Sequence, residues 1–325
     1  MKSSLIRRTG ILLVCLFSVL SDSFAKDGEQ EGTASVLKLE LPAAYRHAPA
    51  NKGSVEFIGA ATVLIRYGGM TVLTDPNFLH RGEHVHLGYG LTSQRLTDPA
   101  IEFDRLPPVD LVLLSHMHED HFDRRVQKQL NRNIPIVTTP EAAAKLEKLG
   151  FRNRYALAAW DVIDIRKGAT TLRMTSMPGR HGPPVINMMF PQVMGAMLDF
   201  ASADGFKYRM YISGDTLIVD DISQIQQRYH DIDLSLLHLG GTRILGTVKV
   251  TMDGKDGVKM LQIVAPRRAI PIHYNDYDVF KSTLREFEEE VAAAGLQDKI
   301  IYLKHGDTYE FMANRRDAAS PHPEK

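Results

Sequence analysis

Three imidazoles and an aspartate fall within six residues of this chain, at His116, His118, Asp120 and His121. Histidine nitrogen and aspartate oxygen are donors that divalent zinc takes readily. Crowded together, they compete for one desolvated volume and repel one another when charged, and a divalent cation relieves both conflicts. In an extended segment His116 and His118 project to the same side. A turn after them lets Asp120 and His121 face a neighbouring volume, so this one stretch can serve two metals. Two cations about 3.5–4 Å apart share a water and lower its pKa towards neutrality. The resulting hydroxide can attack a carbonyl or phosphoryl centre with no protein nucleophile.

The elements that must position these groups are legible around them. The apolar run ending in Leu111-Val112-Leu113-Leu114 reads as a buried strand, and the C-terminal ends of such strands are where α/β folds place their chemistry. Three more polar residues stand at the ends of apolar runs. His181 lies in a Gly/Pro loop after a strand at 171–175, Asp215 follows a strand at 208–213, and His273 follows one at 269–272. Strands are also expected at 55–57 and 61–67, with Gly68-Gly69 turning into a return strand at 70–74. Further strands are expected at 134–138, within 160–173 and at 234–239. Helices are expected at 123–130, at 140–149 between Pro140 and Gly150, at 257–264, and at 280–294 with an acidic face. Segments 300–303 and 308–312 read as a closing hairpin. Residues 77–108, rich in Gly, His and Pro, read as one long loop. Hairpins followed by strands alternating with helices predict a mixed α/β fold.

The chain has 325 residues, 44% hydrophobic and 24% charged, the make-up of an ordinary soluble globular protein. Its 39 Lys+Arg match its 39 Asp+Glu, so no basic field recruits nucleic acid. Lys2, Arg7 and Arg8 precede an apolar stretch at 11–20, and Ser23 and Ala25 put small residues at a cleavage site. This reads as a secretory signal peptide cut after Ala25, its apolar stretch too short to span a bilayer. The expected location is periplasmic or secreted, with no stable membrane insertion once the signal is removed; an uncleaved anchor is the alternative. Removal leaves 36 basic against 38 acidic residues and takes away Cys15, the only cysteine. A thiol nucleophile and thiolate ligands are thereby excluded, leaving His, Asp and Glu as donors. The expected organisation is a signal peptide at 1–25, a linker at 26–50, one folded domain at 51–315 and a disordered tail at 316–325.

Taken in order, Thr74-Asp75-Pro76, His116-x-His118-x-Asp120-His121, His181, Gly214-Asp215 and His273 resemble the metallo-β-lactamase superfamily over residues 54–312. Leu114-Ser115-His116, Phe122-Asp123 and Pro271-Ile272-His273-Tyr274 look like its branch containing ascorbate-phosphate lactonases and N-acyl phosphatidylethanolamine phospholipase D. The resemblance implies an αββα sandwich, two mixed β-sheets flanked by helices, with a two-metal site between the sheets. It implies two Zn2+ per chain, with Mn2+ or Fe2+ as alternatives. Carried over by position, His116, His118 and His181 hold one ion, and Asp120, His121 and His273 hold the second. Asp215 bridges them, and Asp75 orients ligand groups through hydrogen bonds. The implied activity is that of an exported zinc-dependent hydrolase using metal-bound hydroxide on an ester-like bond (a lactone, a phosphodiester or an amide) in a small-molecule or lipid-like substrate. Asp120 is expected to orient the hydroxide as well as hold metal. Water or His238 is expected to protonate the leaving group, and Tyr274 is a candidate for touching the substrate.

Three rival functions stand beside this one. β-Lactam hydrolysis suits an exported protein, but by resemblance a bridging carboxylate at Asp215 is typical of lactonase, thioesterase and phosphodiesterase branches. An iron-dependent oxidoreductase of the same fold commonly carries Glu where His118 stands. A non-catalytic metal-binding protein is disfavoured by the filled ligand set. His80, His84 and His86 read as a solvated lid, or else as a third metal site or substrate contact. Met188, Met189, Met194 and Met197 read as core or lid packing, or as an apolar wall for a lipid-like substrate. Arg180 and Arg243 read as solvated, or as anion-binding. The sequence sets neither the substrate nor the oligomeric state.

Overall fold

The computed structural model describes residues 36–43, 49–88, 90–185, 187–244 and 247–315. The expected signal peptide and the polar tail lie outside them.

Strand Met70–Thr74 follows Thr62–Tyr67 through a tight turn, because Gly68 and Gly69 adopt positive φ there. These strands belong to a seven-stranded sheet. Its order is Thr308–Met312, Lys52–Gly59, Thr62–Tyr67, Met70–Thr74, Leu111–Leu113, Ile136–Thr138 and Arg154–Ala156. The second sheet runs Leu37–Leu41, Val162–Lys167, Thr170–Met177, Gly195–Ser202, Phe206–Ile212, Leu234–His238 and Arg268–Ile272, with Asn314–Arg315 added beside Phe206–Ile212. Both sheets mix parallel and antiparallel pairs.

Period-two alternation assigns the faces. Leu111 and Leu113 join a core containing Val63, Ile65, Met210, Leu236 and Ile270, residues of both sheets. Val112 and Leu114 join a different cluster with Val126 and Leu146 of helices Arg124–Gln129 and Pro140–Lys148. On the other sheet Tyr211, Leu237 and Ala269 pack with Ile225, Leu261 and Phe287 of helices Ser223–Arg228, Gly254–Val264 and Leu284–Ala293. The result is a four-layer sandwich, helices outside and two sheets within, as expected from the resemblance. Among the described residues no helix is long and apolar enough to cross a membrane.

Four local expectations need correction. Leu37–Leu41, placed in a linker at 26–50, is an edge strand paired in parallel with Val162–Lys167. Its Leu37-Lys38-Leu39-Glu40-Leu41 alternation is a strand pattern in itself, but it lies at the sheet edge with only Leu41 buried, following a polar, irregular stretch. The 77–108 segment is not one open loop: His84–Gly88 and Leu91–Gln94 form a hairpin within it. Residues 300–303 form no strand beyond a single bridge from Ile300 to Ala269, and Thr308–Met312 pairs with Lys52–Gly59 instead. The last long helix begins at Leu284 rather than 280, where Thr283 Oγ1 accepts the Glu286 N–H at 3.3 Å. Strand Gly195–Ser202, in the Met-rich region, had no counterpart in the sequence reading.

Candidate metal centre

Two parallel strand ends are stitched together ahead of the ligand run. The Asp75 N–H donates to Leu113 O at 2.9 Å, and Asp75 Oδ1 accepts the Ser115 N–H at 2.7 Å. The chain then turns, His118 O accepting the N–H groups of His121 (3.1 Å) and Phe122 (2.9 Å). Asp123 ends the turn by capping helix Arg124–Gln129 through the N–H groups of Arg125 and Val126. From the facing sheet, His181 follows strand Thr170–Met177, Asp215 follows Phe206–Ile212, and His273 follows Arg268–Ile272. Two of these functional positions hold left-handed backbone, Asp75 at φ 36° and His273 at φ 59°, a strain of order 1–3 kcal/mol each that marks sites where geometry outranks local preference. Gly214 is required before Asp215: its φ is +61°, and a Cβ there would lie 2.5 Å from Met194 O.

All seven expected ligands converge, in two groups. His116 Nε2 lies 3.0 Å from His118 Nδ1, which lies 3.1 Å from His181 Nε2. The His181 ring is oriented by Nδ1 donating to Val250 O at 2.8 Å, which leaves Nε2 as the lone-pair nitrogen facing the group. In the second group His121 Nε2 is 3.4 Å from Asp215 Oδ2 and 3.8 Å from Asp120 Oδ2. His273 is 3.4 Å from Asp120 Oδ2 through Nε2 and 3.3 Å from Asp215 Oδ1 through Nδ1. Asp215 Oδ2 also lies 4.0 Å from His181 Nε2, so this carboxylate spans both groups.

These separations fit a cation. A tetrahedron of N and O donors with bonds of about 2.0–2.1 Å has edges of about 3.3–3.4 Å. The second group shows that edge length from His121 Nε2 to Asp215 Oδ2 and from His273 Nε2 to Asp120 Oδ2, both 3.4 Å and too long for good hydrogen bonds. Asp120 Oδ1, His121 Nε2, Asp215 Oδ1 and both ring nitrogens of His273 are buried with no hydrogen-bond partner, an arrangement a protein tolerates where a metal satisfies the donors.

The electrostatics agree. Burial, reinforced by neighbouring imidazoles, holds His116 far below the ordinary histidine value and His118 down to about 3; burial also lowers His181. Those three rings stand neutral, the state a metal requires of an imidazole donor. At His121 burial opposes the charged form, but Asp215, Asp120 and Asp75 win and raise it well above the ordinary value. Burial likewise works against ionised Asp120 and Asp215; His121 and His273 prevail, holding Asp120 at about 2 and Asp215 well below the usual carboxylate range. The pocket demands positive charge that a single imidazolium proton meets poorly and a divalent cation meets well.

Asp75 stands behind the centre, with Oδ2 3.3 Å from His121 Nδ1 and 3.7 Å from His238 Nε2. It fixes the His121 ring as the resemblance implies. His238 is buried, its Nδ1 3.1 Å from Ser213 Oγ and its Nε2 turned to Asp75. It does not line the cleft that reaches the candidate metal ligands. Tyr274 does not line the cleft either. Its hydroxyl donates to Leu303 O at 3.2 Å within the intersheet core, and burial holds its pKa well above the ordinary tyrosine value.

The cleft encloses about 570 Å³, solvent at its mouth included, with His118, Asp120, His181 and Asp215 on its floor. Its walls are Leu87 and Leu91 of the hairpin, Phe190, Ile244, Val250 and Val279. Of the expected anion binders, Arg243 lines the cleft and Arg180 does not. His80 pairs with Glu102 at 3.0 Å, and His84 and His86 are exposed on the hairpin, so these three do not form a third metal cluster. Met194 and Met197 are core residues, while Met188 is 90% exposed.

Sequence reasoning missed Glu119, between two ligands. Its carboxylate does not join them; Oε2 accepts the His86 N–H at 2.6 Å and latches the hairpin over the cleft. It also missed Ser115, whose Oγ lies 3.0 Å from His116 Nδ1 and 3.3 Å from His121 Nδ1. Missed as well were the buried Arg95 and Asp276 beneath the His273 turn. The signal for Glu119 was its place in the run; lone residues such as Arg95 carried none.

Residues 71–274 match the family profile described as the beta-lactamase superfamily domain. A UPF0173 metal-dependent hydrolase of Archaeoglobus fulgidus is 28% identical over 209 residues, covering 62% of this chain and 82% of that protein. One from Methanopyrus kandleri is 25% identical over 256 residues, covering 79% of this chain and 99% of its own length. Among solved structures, an isothiocyanate hydrolase from Delia radicum gut bacteria superposes with a TM-score of 0.65 at 23% identity, over 80% of this chain and 100% of the other.

Proposed function

The chain belongs to the metallo-β-lactamase superfamily and is a metal-dependent hydrolase, and from that premise we propose that it is a dinuclear zinc enzyme cleaving an ester-like bond. The observation that carries this reading is the pair of donor groups joined by Asp215, with five buried donor atoms left without hydrogen bonds. His116, His118 and His181 would hold one ion, and Asp120, His121 and His273 the other. The donor set suits zinc, a borderline cation that accepts imidazole and carboxylate together. Such ions supply a Lewis acid and a nucleophile drawn from water at neutral pH.

The chain's own groups do the rest. Asp120, ionised and facing the cleft, has Oδ1 free to accept a hydrogen bond from the attacking water and aim it. With its pKa held at about 2, it orients rather than stores a proton. His238 and Tyr274 do not reach the cleft, so the leaving group takes its proton from water. The apolar walls exclude bulk water from the substrate body, and the Glu119-held hairpin positions it. We also propose export to the periplasm or medium, on the N-terminal charge and apolar pattern; the N-terminal residue of protein recovered from each cell fraction tests this.

The function is tested by metal analysis of protein purified without added metal, with an ester, lactone, phosphodiester, β-lactam and isothiocyanate panel. The reading expects two zinc per chain and chelator-sensitive ester or lactone turnover. Iron as the bound metal, or β-lactam turnover alone, would replace it.

A further inference from the structure

Beyond the metal ligands, the cleft is lined by Leu87, Leu91, Phe190, Ile244, Val250 and Val279, with two threonines and one cation, Arg243. That cation is already engaged. Its Nη1 donates to Thr247 O at 3.3 Å, and its Nη2 lies 3.9 Å from Asp253 Oδ2. An anionic group entering here would lose hydration among aliphatic walls and meet one half-exposed guanidinium already shared with Thr247 O and Asp253, a weak compensation. An alkyl or aryl body would instead remove apolar surface from water on both sides.

The hairpin carrying Leu87 and Leu91 is held in place over the cleft. His86 N–H donates to Glu119 Oε2 at 2.6 Å, and Arg124 Nη1 donates to His84 O at 2.5 Å. Arg124 also pairs with Glu83 at 2.8 Å. A wall tethered to the ligand run itself keeps its distance from the metals, which makes it a selector of substrate shape. Phe190, also in the lining, sits against His181 with ring centroids 5.3 Å apart, which fixes its place beside the candidate ligands.

We propose that this cleft selects uncharged carboxylic esters or lactones with an apolar body held between the hairpin leucines and Phe190. The inference rests on the hydrolase reading above. Water adds to the ester carbonyl and the acyl carbon–oxygen bond breaks, the alkoxide taking a proton from water; an ester yields a carboxylic acid and an alcohol, a lactone one hydroxy acid.

The test is a set of 4-nitrophenyl esters with one scissile bond: acetate, butyrate, hexanoate, and the mono-ester of adipic acid, which matches hexanoate in length but ends in a carboxylate. A buried methylene multiplies kcat/KM by about fourfold. Two buried of the four added then predict a rise of at least about tenfold from acetate to hexanoate. The adipate mono-ester should fall at least about tenfold below hexanoate, and Leu91→Asp should bring the hexanoate-to-acetate ratio towards one with metal content unchanged. A flat chain-length series, or an adipate mono-ester as good as hexanoate, overturns the proposal while leaving the hydrolase reading intact. If neither these esters nor the lactone of the panel turns over, that reading falls, and calorimetric titration of octanamide against suberic acid monoamide still decides the class. Tighter octanamide binding that Leu91→Asp removes sustains it, and equal or tighter binding of the charged partner overturns it.

Discussion

Replacing Asp276 by Asn removes one charge from the most deeply buried ion pair beside the centre. Arg95 and Asp276 have fully buried side chains, with Nη2 3.9 Å from Oδ1. Asp276 Oδ2 accepts the Ala60 N–H at 2.9 Å, and Ala60 O accepts the His273 N–H at 2.8 Å, so the pair underlies the left-handed turn that presents His273. Removing one partner of a buried pair costs about 3–5 kcal/mol. Arg95 keeps neutral acceptors at Thr97 O (3.1 Å) and Asn77 Oδ1, and Asn retains a carbonyl oxygen for Ala60. The lower end, about 3 kcal/mol, is therefore expected, lowering Tm by roughly 6–10 °C at pH 7. Metal retention in the His273 group should fall with it. The pH dependence has a definite sign. Burial raises the Asp276 pKa, but His305 and Arg95 outweigh it and leave the carboxyl below its reference value of 3.8. A depressed pKa gives stability that is complete above the unfolded value and is lost as pH falls through the folded one. The gap between wild type and variant should thus shrink below pH 3.8. Thermal unfolding of both proteins across pH, with metal analysis at pH 7, measures it. A gap of the same size at acid pH, or none at neutrality, would refute the charge argument.

Three shorter predictions accompany it. His116→Ala should abolish turnover and lower bound metal while far-ultraviolet circular dichroism stays unchanged; wild-type rates would remove His116 from the mechanism. Glu119→Ala breaks the 2.6 Å bond to the hairpin, a charge-assisted hydrogen bond worth about 1.5–3 kcal/mol, so KM should rise about tenfold or more with metal content preserved; an unchanged KM would show that the hairpin is held by other contacts. Tyr274→Phe should lower stability by about 1 kcal/mol, since Leu303 O loses its donor, and leave kcat unaltered. A large loss in kcat would return Tyr274 to the active site.

The centre was legible because strand ends and ligand types are local facts. His116, His118, Asp120 and His121 share one turn, while His181, Asp215 and His273 each follow an apolar run, so the residues that form the two donor groups could be named without coordinates. The alternation around Leu111-Val112-Leu113 likewise fixed which side chains face the intersheet core. Tertiary structure alone decided the rest, since the deciding partner lies far along the chain. His238 meets Asp75 rather than the cleft, and Tyr274 meets Leu303. Glu119 latches a hairpin 33 residues before it, and Asp276 supports Ala60 across 216 residues. Ligand identity follows from donor chemistry, which a residue carries wherever it sits; orientation, burial and the shape of a pocket belong to pairs of residues and exist only once the two sheets have closed.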